Sequence, residues 1–137
     1  MIVKQEIIQL LEDKHVTHIF HLPGIHTLPL NEVLTNSKIT VLMGRHESTC
    51  GFMADGYARA TGQTAVVVIT PGPGLGNVTA ACMEAFGSDS PLLLIHVDTE
   101  RTDIGKGILH ELKDPDSMFR DITKHVARVD RLGLEDL

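Results

Sequence analysis

Cysteine, long apolar runs and clustered positive charge are all scarce in this sequence. Only Cys50 and Cys82 occur among 137 residues, so the disulfide framework of a small secreted domain is not indicated. Both cysteines lie in helix-like segments, which predicts buried thiols. No uninterrupted apolar run approaches membrane-spanning length. The 12 basic and 18 acidic residues give a net charge of −6 without a basic stripe, which argues against nucleic-acid and anionic-membrane partners.

The composition is that of one ordinary globular domain. The chain is 42% hydrophobic and 22% charged, proportions that suit a single packed core at this length. Lys4 and Glu6 interrupt the apolar residues at the N-terminus, so no signal-peptide core is present there and a cytoplasmic location is predicted. We predict one domain over residues 1–130, with residues 131–137 as the start of a linker or a C-terminal tail.

Hydrophobic periodicity alternates between helical and extended along the chain. The spacing predicts four strands, at residues 16–22, 39–43, 65–69 and 92–97; the second is predicted to be buried, and the last two to be covered on both faces. It predicts four helices, at about residues 3–11, 28–34, 48–60 and 77–86. Because alternating helices and buried strands form parallel sheets, the predicted fold is α/β, a three-layer arrangement with a mostly parallel sheet flanked by helices on both faces.

One carboxylate stands where the second strand ends and the third helix begins. Glu47 follows Gly44-Arg45-His46, at the carboxyl end of a strand, where ligands bind in open α/β sheets. This position predicts contact with a small molecule. The alternative is that Glu47 only complements the partial positive charge of a helix N-terminus.

A glycine-rich segment, Gly72-Pro73-Gly74-Leu75-Gly76-Asn77, follows the third strand and precedes a helix. Its backbone amides could cradle a ligand. A dinucleotide fingerprint would need a third glycine where Asn77 stands, and the Gly-Lys-Ser/Thr ending of a P-loop is absent. Both phosphate interpretations therefore fail. The alternative is a tight turn in which Asn77 caps the helix.

Eight histidines raise the question of a metal site. The segment from His46 to Cys50 has a cysteine where a zinc-protease helix has its second histidine, so we predict no protein-bound metal. His18 and His21 are three residues apart on a strand, which directs them to opposite faces. A Ser-His-Asp triad is also unsupported, because Ser48 lacks the Gly-x-Ser-x-Gly elbow.

Several short motifs follow one another in a definite order. They are Leu22-Pro23-Gly24, Arg45-His46-Glu47, Met53-Ala54-Asp55-Gly56-Tyr57-Ala58-Arg59, Thr61-Gly62, Thr70-Pro71-Gly72-Pro73-Gly74-Leu75-Gly76-Asn77 and Ser90-Pro91-Leu92-Leu93-Leu94-Ile95. This series, from about Ile2 to Val129, resembles the pyrimidine-binding domain of thiamine diphosphate-dependent enzymes. That group contains acetolactate synthase, benzoylformate decarboxylase and related enzymes of 2-oxo acids.

The resemblance implies thiamine diphosphate as cofactor and Glu47 as the catalytic residue. In the family this glutamate holds a proton on N1′ of the aminopyrimidine, which lets the 4′-imino group remove the proton from C2 of the thiazolium. The cofactor-binding residues that it implies, besides Glu47, are Pro23, Gly24, Pro73 and Asn77.

The resemblance also implies a substrate pocket lined by Ile25, His26, Thr70 and His110. Thr70 stands where some decarboxylases carry a histidine, so their proton relay is absent at that place. His110-Glu111 replaces the Gln-Glu pair of acetolactate synthase-like members, where a histidine could donate a proton or be only a solvated surface residue.

The implied activity is decarboxylation or carboligation of a 2-oxo acid, and it needs more than this chain. The Gly-Asp-Gly sequence of the diphosphate-binding domain, which holds Mg²⁺ in the family, is not found here. We therefore expect a fragment or a separate subunit that works with a diphosphate-binding domain, in a homodimer or higher homo-oligomer. Two alternatives stay open: the stand-alone pyrimidine-domain subunit of a split, sulfopyruvate decarboxylase-like enzyme, and a noncatalytic interaction module of the same fold.

Overall fold

A parallel sheet of four strands forms the centre of the structure, a computed structural model that describes residues 3–129. The strands are β1 (His18–His21), β2 (Thr40–Met43), β3 (Ala65–Ile69) and β4 (Leu92–His96). Their spatial order is β2-β1-β3-β4, and every neighbouring pair is parallel. The carboxyl ends of all four strands therefore lie at one end of the sheet, called here the carboxyl end.

Four α-helices cover the two faces of the sheet. They are α1 (Val3–Asp13), α2 (Leu28–Leu34), α3 (Glu47–Thr61) and α4 (Pro73–Gly87). Helices α1 and α2 pack with Ile19, Val66 and Val68 in one apolar cluster. Helices α3 and α4 pack with the alternate strand residues, including Phe20 and Val67, in a second cluster. The three-layer α/β fold predicted from the periodicity is confirmed.

The burial of the strands differs from the prediction at the two sheet edges. All five residues of β3 are buried, as the continuous apolar run indicated. In β2, Leu42 and Met43 are exposed, and Leu93 of β4 is also exposed. The prediction of full burial was wrong for these strands because each has a neighbouring strand on one side only, and the helices cover the edges incompletely.

Helix α4 begins four residues earlier than the sequence predicted. It starts at Pro73, a residue favoured in the first helical turn because its missing N–H would have no helical partner. Asn77 consequently lies inside the helix and does not cap it; the N-cap position is Gly72. The glycine-rich segment is thus mostly the first turn and a half of a helix, and the expectation that Asn77 caps it was wrong.

The segment after β4 runs over the surface with two short 3-10 turns, Arg101–Asp103 and Asp116–Met118. Phe119 is buried in the α3/α4 cluster, which anchors this segment to the sheet. An ion pair of 2.8 Å between Arg128 and Asp98 adds a second attachment. Residues 131–137, the predicted tail, lie outside the described residues. Within residues 3–129 no helix is both long and apolar enough to cross a membrane.

Candidate functional site

The predicted site residues lie at the carboxyl end of the sheet. Glu47 is the first residue of α3, and only 9% of its surface is exposed. His46 caps the helix by accepting a hydrogen bond from Ser48 N at its Nδ1. The turn between β2 and α3 therefore holds a buried carboxylate at a helix N-terminus.

Asn77 orients the Glu47 carboxylate from the neighbouring helix. Its Nδ2 donates a hydrogen bond of 2.9 Å to Oε2 of Glu47. The hydroxyl of Ser48 donates a hydrogen bond of 2.6 Å to the backbone oxygen of Asn77, which ties the starts of α3 and α4 together. No described residue donates to the second carboxylate oxygen, Oε1 of Glu47, so this oxygen keeps its acceptor capacity.

Gly74 lies close to that second oxygen. A Cβ added to Gly74 would lie 3.4 Å from Oε1 of Glu47 and 3.0 Å from Oγ1 of Thr70. Gly24, just after β1, approaches the same threonine so closely that an added Cβ would lie 2.3 Å from its Cγ2. Thr70 therefore lies between the turn after β1 and the start of α4, beside the carboxylate.

Two histidines are in contact at the same end of the sheet. The rings of His26 and His110 are stacked with their centroids 5.4 Å apart. The Nδ1 atoms of both rings are buried and have no hydrogen-bond partner among the described residues. His110 also lies against Gly72, where an added Cβ would come within 2.7 Å of the His110 Cβ. Gly72 has a φ of +63°, a conformation that favours glycine.

The predicted site residues thus fall into two groups. The first has contacts that connect its members at this end: Glu47 with Asn77, Gly24 with Thr70, and His26 with His110. The second group, Pro23, Ile25 and Pro73, is exposed at the same end of the fold. Ile25 is 67% exposed and lies in the short 3-10 turn Ile25–Thr27, so among residues 3–129 it lines no closed pocket.

The two cysteines are free and buried, as predicted. Burial raises the pKa of the Cys50 thiol, which lies one turn along α3 from Glu47, and raises that of Cys82 to about 11. A thiol is a nucleophile only as its thiolate, so neither cysteine is activated at neutral pH. Glu47 is thus the chemically relevant group at the start of α3.

Sequence reasoning missed two features of this site. The first is the closeness of Gly74 to Oε1 of Glu47, which depends on the approach of α4 to α3. The second is Glu111, whose carboxylate binds backbone N–H groups of the preceding loop, including those of Gly107 and Ile108. The alternation of glycines with a following glutamate in residues 105–111 was a signal that could have indicated this loop.

Comparison with known proteins agrees with the motif series. Residues 1–118 match the family model described as thiamine pyrophosphate enzyme, N-terminal TPP binding domain. A probable 2-ketoarginine decarboxylase of Pseudomonas aeruginosa is 40% identical over 125 residues, which are 90% of this chain and 22% of that protein. A probable acetolactate synthase large subunit of Methanocaldococcus jannaschii is 35% identical over 121 residues, 88% of this chain and 20% of the relative.

A third relative comes from an animal. The 2-hydroxyacyl-CoA lyase 2 of Caenorhabditis elegans is 38% identical over 122 residues, which cover 89% of this chain and 19% of that protein. The chain therefore spans about a fifth of the length of the curated relatives that it matches. The names of these relatives differ in reaction, so their similarity concerns the domain that they share with this chain.

Proposed function

The chain belongs to the family of N-terminal thiamine pyrophosphate-binding domains of thiamine pyrophosphate enzymes, and from this premise we propose that it is the pyrimidine-binding part of an enzyme of 2-oxo acids. The reaction class is decarboxylation or carboligation, as in acetolactate synthase-like enzymes. The observation that carries the proposal is the buried Glu47 carboxylate, which is held by Asn77 through one oxygen and offers the other to a ligand.

The residues present fit the aminopyrimidine of thiamine diphosphate. A protonated ring nitrogen needs an acceptor, and Oε1 of Glu47, which lies beside Gly74, supplies one. A carboxylate removed from water forms a stronger charge-assisted hydrogen bond than an exposed one. We propose that Pro23, Gly24, Pro73 and Asn77 complete the part of the binding site that this chain provides.

Glu47 has one task in this proposal, to hold a proton on N1′ of the aminopyrimidine through Oε1. Asn77 fixes the carboxylate orientation, so that the acceptor faces the ligand without reorganisation. The chemistry supplied by bound thiamine diphosphate is stabilisation of the negative charge that develops on the substrate carbonyl carbon. Thr70, whose Oγ1 would lie 3.0 Å from a Cβ on Gly74, limits the space beside the ring.

We propose that His26, Thr70 and His110 face the substrate, with Ile25 at the rim. The stacked rings of the two histidines beside the start of α4 support this, since an imidazole can exchange a hydrogen bond with a polar group of a 2-oxo acid. Ile25 is largely exposed in this chain, and a neighbouring domain is needed to close a pocket over it.

The remaining parts of the proposal concern the rest of the enzyme. We propose that residues 1–130 are the pyrimidine-binding domain, and that a diphosphate-binding domain of the same or another chain holds the diphosphate and Mg²⁺. We further propose a homodimer or higher homo-oligomer. The relatives support the need for further domains, because this chain spans only about a fifth of each. The cytoplasmic location stays a prediction.

The test is Glu47→Gln in the enzyme assembled from this chain and its diphosphate-binding domain. A glutamine can still accept from Asn77, but it then presents an NH₂ group where the aminopyrimidine needs an acceptor. We expect turnover of 2-oxo acids to fall by about a hundredfold or more, as when one preorganised electrostatic contact is removed. The control is Glu84→Gln, which neutralises an exposed glutamate of α4 whose carboxylate meets Arg59.

Melting curves of both variants show whether the fold survives the substitution. Near-normal turnover by a folded Glu47→Gln enzyme would contradict the proposal. The mass of the native polypeptide and of any copurifying protein separates the alternatives. A short chain with a diphosphate-domain partner indicates the split enzyme, and a short chain that binds neither partner nor cofactor indicates the noncatalytic module.

A further inference from the structure

The loop of residues 105–111 is organised around a single carboxylate. The backbone N–H of Gly105 donates to Oε1 of Glu111, and the N–H groups of Gly107 and Ile108 donate to Oε2 at 2.9 and 3.1 Å. Glu111 N in turn donates to the Ile108 oxygen at 3.0 Å. One side chain therefore satisfies three backbone donors of a surface loop, and each of these bonds is charge-assisted.

Besides Glu111, two contacts of Lys106 with Asp103 hold the loop, an ion pair of 2.8 Å and a hydrogen bond of 3.1 Å from Lys106 N to the Asp103 backbone oxygen. The apolar residues Ile104, Ile108 and Leu109 are 43%, 40% and 60% exposed, so apolar burial contributes little. Three residues have positive φ angles: Gly105 and Gly107, for which this is ordinary, and His110, where φ is +67° and such a conformation is uncommon. The Glu111 carboxylate holds the backbone on the N-terminal side of His110, and the packing of His110 on Gly72 and His26 holds the residue itself.

His110, near the end of the loop, contacts residues of the candidate site at the carboxyl end of the sheet. The Cα, Cβ and backbone oxygen of His110 lie within 2.9 Å of where a Cβ on Gly72 would be, and its ring stacks on His26. Gly72 directly precedes α4, the helix that carries Gly74 and Asn77. The placement of the two-histidine pair thus depends on the conformation of residues 105–111.

We propose that Glu111 is the positioning residue of the His26–His110 pair. It acts through the backbone of residues 105–108 and does not touch substrate or cofactor. This inference rests on the proposed function in one respect, that the histidine pair faces the 2-oxo acid. Glutamine has nearly the same size as glutamate but lacks its charge and one acceptor oxygen. A substitution of Glu111 by glutamine therefore separates the effect of the hydrogen bonds from that of the space the side chain fills.

The substitution that tests this is Glu111→Gln in the assembled enzyme. Oε1 of the glutamine can serve Gly107 and Ile108, but its NH₂ group then faces the N–H of Gly105, a donor against a donor. We expect the loop to open more often, and trypsin to cut after the exposed Lys106 roughly tenfold faster, since opening exposes the bond. The matched control is Glu100→Gln, whose carboxylate makes no hydrogen bond to residues 105–111 in the described structure.

The second measurement asks whether Glu111 acts through His110. We expect Glu111→Gln to raise the KM for the 2-oxo acid roughly tenfold, with a smaller change in kcat, because the pair that receives substrate is displaced. In a His110→Ala background the same substitution should change kcat/KM little, since residues that act as a unit are not additive. Full additivity of the two losses would overturn the assignment.

Cleavage after Lys106 reports the loop even if the assembled protein does not turn over 2-oxo acids. An unchanged cleavage rate in a folded Glu111→Gln protein overturns the positioning role, whatever the activity. Absence of turnover by the unmodified enzyme, with accelerated cleavage of the variant, refutes the proposed function and supports the hold of Glu111 on the loop. If Glu111→Gln does not fold, Glu111→Asp, which keeps the charge and loses the reach, provides the same comparison.

Discussion

Two glycines of α4 allow the proposed cofactor contact to be tested without altering Glu47. Gly74 and Gly76 lie two residues apart in the same helix. A Cβ on Gly74 would lie 3.4 Å from Oε1 of Glu47, whereas a Cβ on Gly76 would have no heavy atom within 4 Å. Replacing each by alanine therefore adds the same methyl group, beside the carboxylate in one case and in open space in the other.

The structure sets the magnitude expected for each variant. Alanine is favoured over glycine in a helix by up to about 1 kcal/mol, so Gly76→Ala should melt at the same temperature or slightly higher. In Gly74→Ala the same gain in helix stability is offset by a tight contact of the added methyl group with Oγ1 of Thr70. Its free energy of unfolding should therefore stay within about 1 kcal/mol of that of Gly76→Ala. Losing a hydrogen bond to a charged group costs about 1.5–3 kcal/mol, or about ten- to a hundredfold in affinity.

The added methyl carbon would obstruct part of the approach to Oε1, so we expect Gly74→Ala to weaken thiamine diphosphate binding by about tenfold. The assay is the dependence of turnover on thiamine diphosphate concentration in the assembled enzyme, supported by calorimetric titration of the cofactor. If Gly74→Ala and Gly76→Ala bind the cofactor equally well, the ligand does not approach Glu47 from the side of Gly74 and the reasoning fails.

Three further predictions concern the surroundings of Glu47 and the loop. Asn77→Ala leaves the Glu47 carboxylate without its orienting donor and should lower turnover by about tenfold with little loss of fold, measured as kcat beside a melting curve. Gly72→Ala should destabilise the protein by at least about 1–3 kcal/mol, because its φ of +63° is unfavourable for alanine and His110 blocks the Cβ. Hydrogen bonds from the loop backbone, foremost that of Gly105, lower the pKa of Glu111 from its ordinary value of 4.5. The stabilisation of the loop by this carboxylate should therefore be fully present above pH 4.5 and be lost as the pH falls through the lowered pKa.

Each of these three predictions has an outcome that would contradict it. Gly62→Ala shares a positive φ of +69° but would meet no atom within 4 Å, so equal losses for Gly62→Ala and Gly72→Ala would show that His110 adds nothing. The acid transition is followed by the amide proton shifts of ¹⁵N-glycine-labelled protein. Shifts of Gly105 and Gly107 that stay constant below pH 4.5 would contradict the role of the carboxylate. Turnover by Asn77→Ala equal to that of the unmodified enzyme would show that Glu47 needs no orienting donor.

Local patterns predicted the elements well where a single periodicity dominated. The β-branched run of β3 gave its five residues correctly, because a central strand is covered on both faces and needs no polar alternation. The same pattern misled for β2 and β4, because an apolar run does not reveal whether a strand has one neighbour or two. The start of α4 was misjudged because its glycines were assigned to a loop, whereas Pro73 begins the helix.

Patterns along the chain were enough to predict the α/β fold, the position of Glu47 where a strand meets a helix, and the family, through its ordered motifs. These properties depend on residues close together in the chain. The folded structure was needed to show that Asn77 holds Oε2 of Glu47, that Gly74 lies beside Oε1, and that His26 and His110 stack. Such contacts join segments distant in sequence, and their geometry is set by how α4 and the later loop pack on the sheet, which no local pattern encodes.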